Sequence, residues 1–296
     1  MMRTPFRSVF FALALTLLLA ACGLTRPAFL RPTPTPTARP VHVVAPTVRF
    51  AVIGDFGKAG KAEAAVAHLV HSWHPDFILS VGDNDYPAGE AKTLPANVLQ
   101  YYGQDIAAGR FFPALGNHDW GTGSIGAYLH TMHPRGNGRY YQFSWGPAHI
   151  FVVDSDYHEP DGAAPDSRQA QWLKRHLALA AEPWKIVAFH HPPYSSGRHG
   201  NVQRMQWPFA QWGATAVLTG HDHDYERIMR NGIVYIVNGL GGVSLYPFPH
   251  KTPVKGSVKR YAANYGALKV EADAHHLTFQ FITVDGKVID TYTIKR

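Results

Sequence analysis

Six short runs of β-forming residues punctuate the chain from residue 48 onward, each nearly continuous in hydrophobicity: VRFAVIG (48–54), FILSV (77–81), FFPALG (111–116), HIFVV (149–153), KIVAF (185–189) and TAVLTG (215–220). Runs of that length and make-up predict strands buried on both faces, as in sheets with parallel neighbours. Between them the apolar period lengthens. Residues 59–73 place Val66, Leu69, Val70 and Trp73 on one side of a helix that His74-Pro75 stops, and helical spacing recurs over 90–109 in part, 167–180 and 202–211. Residues 120–147 read as a long loop with a hairpin near residues 140–144. After residue 225 the period drops to two: 226–239 predicts a hairpin turning at Asn231-Gly232, and 266–295 predicts two or three antiparallel strands. Strand–helix alternation followed by strands predicts an α/β fold with mixed sheets packed face to face and helices outside. No internal repeat and no second boundary break the stretch 47–296.

The apolar runs end in chemistry. They deliver GDFG (54–57), GDNDY (82–86), GNHD (116–119), VVDSD (152–156), VAFHH (187–191) and GHDH (220–223). Each string alone has a plain reading. Asp83 to Asp85 suit a turn closed by Asx hydrogen bonds, Asp55 suits the cap of the helix that follows, and Tyr86 suits packing. Taken together, parallel strands would bring all six ends to one edge, where carboxylate, carboxamide, phenol and imidazole groups from distant positions converge. Such a donor mixture is that of a metal site.

Composition changes the picture mainly at the N-terminus. The 296 residues, 46% of them hydrophobic, suffice for one large core. Residues 1–46 hold five of the 28 basic residues and none of the 21 acidic ones, so the +7 net charge falls to +2 from residue 47 on. That balance, with no clustered basic run, excludes a nucleic-acid footprint. Arg3 and Arg7 precede an apolar run over residues 9–21, thirteen positions, too short to cross a hydrocarbon core of ~30 Å and suited to a secretory signal. It ends in LAAC, which resembles a bacterial lipobox, with the sole cysteine, Cys22, as the lipidated residue. The expectation is an exported, membrane-anchored protein with signal 1–21, a Pro/Thr-rich tether 22–46 and a catalytic domain 47–296. With one cysteine it forms no internal disulfide.

The set of strings resembles the metallophosphoesterase superfamily over residues 48–295, and Tyr86, three residues after Asp83, resembles its purple (tartrate-resistant) acid phosphatase branch. The resemblance implies a four-layer α/β/β/α sandwich of two mixed sheets. It implies that Asp55, Asp83, Tyr86 and His223 hold Fe(III), while Asp83, Asn117, His190 and His221 hold a divalent Fe, Zn or Mn, so that Asp83 bridges. Hard oxygen donors suit a trivalent ion, and imidazole with carboxamide suits a divalent one. His221 and His223, two apart, share a face and can each reach one ion of a pair about 3.5–4 Å apart. Such a site stays net positive and attracts a phosphomonoester dianion. The implied activity is acid phosphatase chemistry on a small phosphate ester, with a hydroxide on the metals as nucleophile and His118 and His199 as proton-donor candidates. Asp119 is expected to orient His118, His191 to point away from the ligands, and Asp154 and Asp156 to cap their loop. Arg198 is a candidate anion contact. The superfamily's frequent Asp-x-His start is absent, since position 57 is Gly. A phosphodiesterase or nucleotide pyrophosphatase on the same metals, and a binding lipoprotein with structural metals, are the rival readings.

Overall fold

The computed structural model describes residues 47–249 and 251–296, and the expected signal, the Cys22 anchor and the tether lie outside these residues. Strands β1 (Val48–Ile53), β2 (Phe77–Ser80) and β3 (Phe111–Pro113) pair in parallel, with Phe50 beside Phe77 and Ile78 beside Phe111. Hairpin β4 (Tyr141–Trp145) and β5 (Ala148–Val152) leads to β6 (Trp184–Ala188) and β7 (Ala216–Thr219), each parallel to the one before. A second hairpin, β8 (Tyr225–Arg230) and β9 (Ile233–Asn238), turns on Asn231-Gly232, both at positive φ, with β9 parallel to β7. Then follow β10 (Ser257–Tyr261), β11 (Gly266–Ala272), β12 (His276–Thr283) and β13 (Val288–Lys295).

These strands make two mixed sheets, ordered β13-β12-β11-β1-β2-β3 and β10-β8-β9-β7-β6-β5-β4. Successive side chains of a strand point to opposite faces, so one set packs between the sheets. Phe50, Val52, Phe77 and Leu79 meet Ile150, Val152, Trp184 and Ile186 there. The alternate set packs outward. Ala51, Ile53, Ile78 and Phe111 lie against Val66 and Val70 of helix α1 (Lys61–Ser72) and Tyr102 of α2 (Gln100–Ala107). Phe151, Val187 and Phe189 lie against Leu173 and Leu177 of α4 (Arg168–Leu179), whose N-cap Ser167 accepts from the Ala170 amide. Burial on both faces is why these runs do not alternate, and each large apolar side chain so buried contributes roughly 1.5–3 kcal/mol. The four-layer expectation holds.

Two local expectations do not. Residues 202–211 form only a 3-10 turn at Gln203–Met205, because Pro208 lacks an amide hydrogen and Trp207 and Phe209 insert into the core beneath the second sheet. The long loop 120–147 contains helix α3 (Gly126–Met132), which buries Tyr128 and Met132 and ends with His133 in the left-handed conformation. Two anchoring side chains in seven residues are too few to stand out as a period.

Candidate metal centre

The carboxyl ends of β1, β2, β3, β6 and β7 lead directly into Asp55, Asp83, Asn117, His190 and His221. Three of these turns are tight enough to put a non-glycine residue at positive φ: Asp55 at 55°, Asp83 at 53° and His221 at 72°. Each costs on the order of 1–3 kcal/mol and persists only where neighbours over-determine it. Here the turns bind one another. The Asp55 amide donates to Gly82 O (3.1 Å), the His221 amide to Asp55 Oδ2 (2.9 Å) and the His118 amide to Asp83 Oδ1 (2.8 Å). The Tyr86 amide donates to Gly57 O at 2.7 Å.

The side chains form two clusters that meet at one atom. In the first, Tyr86 O–H donates to Asp83 Oδ2 (2.9 Å) and lies 3.3 Å from Asp55 Oδ1 and 3.2 Å from His223 Nε2. His223 Nε2 is itself 3.3 Å from Asp55 Oδ1. In the second, His190 Nε2 lies 3.2 Å from Asp83 Oδ2 and 3.2 Å from His221 Nδ1. Asp83 Oδ2 belongs to both. The tautomer of His190 follows from its other nitrogen: Nδ1 is 2.9 Å from Val81 O, which can only accept, so Nδ1 carries hydrogen and Nε2 faces the cluster. Asn117 Oδ1, also placed by this edge, is buried without a hydrogen-bond partner.

The electrostatics are those of donors facing donors. Burial pushes the Tyr86 phenol well above its ordinary range, and Asp83 and Asp55 push it further. Burial alone would raise Asp83 and lower His190, but their mutual attraction wins. Asp83 is held well below the usual carboxylate range, and His190 is raised to about 10 by Asp83 and Asp55. Burial, then His190 and His199, drive His221 down to about 2. An orphaned carboxamide oxygen and convergent oxygen and imidazole donors fit one cation in each cluster, with Asp83 common to both. Asp83, His190 and His221 alone already satisfy the spacing of a metal-holding group.

The two remaining candidates flank this centre. His118 is 36% exposed on its side chain; its ring lies 4.1 Å from that of Tyr86 and its Nε2 is 3.9 Å from Asp83 Oδ2. Its Nδ1 is 2.6 Å from Pro87 O, so Pro87 rather than Asp119 orients the ring. Asp119 is buried and accepts instead from Asn84 Nδ2 (2.8 Å) and the Gly116 amide (2.8 Å), locking the two loops together. Burial, then Asp83, raise its carboxyl to about 8. On the other flank the His199 ring sits 4.3 Å from that of His221. His191 turns away, its Nδ1 2.9 Å from Ser155 Oγ. Asp154 and Asp156 cap as expected, with Asp154 also accepting from Trp120 Nε1 at 2.9 Å.

Two residues of the loop after β9 escaped the sequence reading. Ser244 Oγ is 2.5 Å from His223 Nδ1 and turns Nε2 toward the cluster. Tyr246 stacks flat on His223, with centroids 4.2 Å apart and an angle of 3°, and the Arg198 guanidinium lies 4.9 Å over the Tyr246 ring. This loop carries no apolar period that would mark it.

The profile of the calcineurin-like phosphoesterase family matches residues 48–225, and that of the iron/zinc purple acid phosphatase-like protein C matches residues 232–291. The tartrate-resistant acid phosphatase type 5 of Mus musculus is 26% identical over 302 residues, covering 85% of this chain and 91% of that protein. Among solved structures, purple acid phosphatase PPD1 from yellow lupin (Lupinus luteus) seeds superposes with a TM-score of 0.70 at 20% identity, over 85% of this chain and 54% of that one, so this chain spans about half of it. GAP50, the anchor in the inner membrane complex of Plasmodium, superposes with a TM-score of 0.67 at 20% identity, over 84% of this chain and 89% of that one. At 20% identity the likeness to these two solved structures is one of fold, and the phosphoesterase profile and the acid phosphatase relatives are what mark the chain as a phosphatase.

Proposed function

This chain belongs to the calcineurin-like phosphoesterase family, and from that premise we propose that it is a phosphatase of the purple acid type, hydrolysing phosphomonoesters at a binuclear Fe(III)–M(II) centre. The observation that carries the reading is the position of Asp83 Oδ2, 2.9 Å from the Tyr86 hydroxyl and 3.2 Å from His190 Nε2. Asp55, Tyr86 and His223 would complete the Fe(III) set, and Asn117, His190 and His221 the set for divalent Fe, Zn or Mn. Bound there, the two cations supply Lewis acidity to the phosphoryl oxygens and acidify water for attack.

The chain's own groups do the rest. His118 is held by Pro87 O through Nδ1, which leaves Nε2 to carry a proton to the departing oxygen. Ring contact with Tyr86 keeps that nitrogen on the open side of the first cluster. His199 offers a second proton source on the side of His221. The stack of Arg198 on Tyr246 on His223 places a positive charge at the rim, where a dianionic ester is drawn in.

Metal analysis with a visible spectrum tests this reading. Iron-loaded protein is expected to be coloured by phenolate-to-iron charge transfer, and Tyr86→Phe to be colourless while still folded; a colourless wild type with iron bound overturns the assignment. Turnover of p-nitrophenyl phosphate should exceed that of its bis ester, and the reverse ratio would favour a phosphodiesterase. No turnover of either with the metals filled would favour a binding protein.

His118→Ala is expected to slow an alkyl phosphate by roughly 100-fold and p-nitrophenyl phosphate by far less, because an alkoxide needs the proton and a nitrophenolate does not. Rates within about 3-fold of wild type on both esters would remove His118 from its role.

A further inference from the structure

The segment 220–226 has two sides. Two successive three-residue turns, from the Asp222 amide to Gly220 O (2.9 Å) and from the Asp224 amide to Asp222 O (2.7 Å), send His221 and His223 to the two donor clusters. The alternate residues Asp222, Asp224 and Glu226 are acids, all fully buried. An acid side chain in such a place needs donors, and two of the three take them from one external loop. Asp222 Oδ2 accepts from Ser195 Oγ (2.5 Å) and Oδ1 from the His199 amide (2.7 Å). Glu226 accepts from the Ser196 amide and hydroxyl, both at 2.6 Å.

The loop lies directly on these carboxylates. A Cβ at Gly197 would stand 2.4 Å from Asp222 Cγ and 2.5 Å from Asp224 Oδ2, so only glycine permits the approach. Ser195 Oγ, besides donating to Asp222, accepts from the Gly197 amide at 2.9 Å, which closes the turn. The His199 imidazole, by contrast, is exposed and has no hydrogen bond of its own among the described residues. Its place 4.3 Å from His221 is therefore set through its backbone.

We propose that Ser195 and Asp222 are positioning residues that hold the turn 195–199 so that His199 faces the leaving-group side of the centre. The inference rests on the phosphatase reading above. It also links the two halves of the site through one side chain: Asp222, between the metal-facing histidines, fixes the distance from His221 to the proton donor. A donor released onto a free loop would lose its alignment with the departing oxygen, and with it the advantage of proximity.

The test compares two esters in metal-loaded protein. Ser195→Ala is expected to lower kcat/KM for β-glycerophosphate by roughly 10-fold or more and for p-nitrophenyl phosphate by less than about 3-fold, with metal content unchanged and the melting temperature lower by a few degrees for the donor lost to buried Asp222. His199→Ala should show the same selectivity, and the double variant should fall no further than His199→Ala alone. Ser195→Thr, which keeps the hydroxyl, should restore the alkyl ester. Equal losses on both esters, or losses that multiply in the double variant, overturn the proposal. So does a His199→Ala enzyme with an unchanged ester ratio, a result that stands even where Ser195→Ala fails to fold. A wild type inactive on both esters with metals filled sinks the phosphatase reading instead.

Discussion

Asp83→Asn is expected to lower kcat/KM at least about 1,000-fold and to leave the purified protein short of both metals, not of one. The size follows from the several kcal/mol of charge stabilisation that a two-metal site supplies, each 1.4 kcal/mol being about tenfold. Asparagine keeps the volume and retains an acceptor for the His118 amide, which sits 2.8 Å from Asp83 Oδ1. The turn therefore survives, while the anionic oxygen shared by the two clusters does not. Elemental analysis beside kinetics reads the outcome. A variant that retains both metals and more than a tenth of wild-type activity would show that Asp83 does not bridge.

The second large effect concerns Gly57, where many relatives in the superfamily have the histidine of an Asp-x-His start. Restoring it should fail. A Cβ at position 57 would lie 1.8 Å from Asn84 O and 2.6 Å from the Asp85 amide nitrogen, both backbone atoms that cannot swing aside. The same approach is held by the 2.7 Å bond from the Tyr86 amide to Gly57 O. Gly57→Ala is expected to cost about 3 kcal/mol or more, roughly a 10 °C fall in melting temperature for a domain of this size. Gly57→His should be worse and should not rescue Tyr86→Phe. A melting temperature within 2 °C of wild type for Gly57→Ala would show that the two loops part easily. The tyrosine-bearing donor set is thus a property of how loop 83–86 packs on loop 55–57.

What could be read from the chain before folding was whatever repeats or whatever stops abruptly. The strands over 48–53, 77–80 and 184–188 announce themselves because both faces are buried, and the residues just past them stand out against apolar neighbours. Adjacency to His118 does not make Asp119 its partner: in a turn, neighbouring side chains diverge, and Asp119 goes to Asn84 and Gly116. Ser244 and Tyr246 belong to a loop whose course is set by what it covers, so no local pattern marks them. The acids at 222, 224 and 226 did have a signal, the strict alternation HDHDYE. The histidines of that string signal metal chemistry, and three acids on the opposite side of them call for partners of their own.

The donors also divide by chemistry along the chain. Every oxygen candidate, from Asp55 to Asn117, comes from the first sheet, and every nitrogen candidate, from His190 to His223, from the second. The oxygen donors are therefore synthesised first, yet β1, which carries Asp55, pairs with β11, and β11 to β13 are the last strands made. A nascent chain has no complete cage to fill until those strands have been added and both sheets have formed, which sets the earliest moment at which cargo ions can be chosen between.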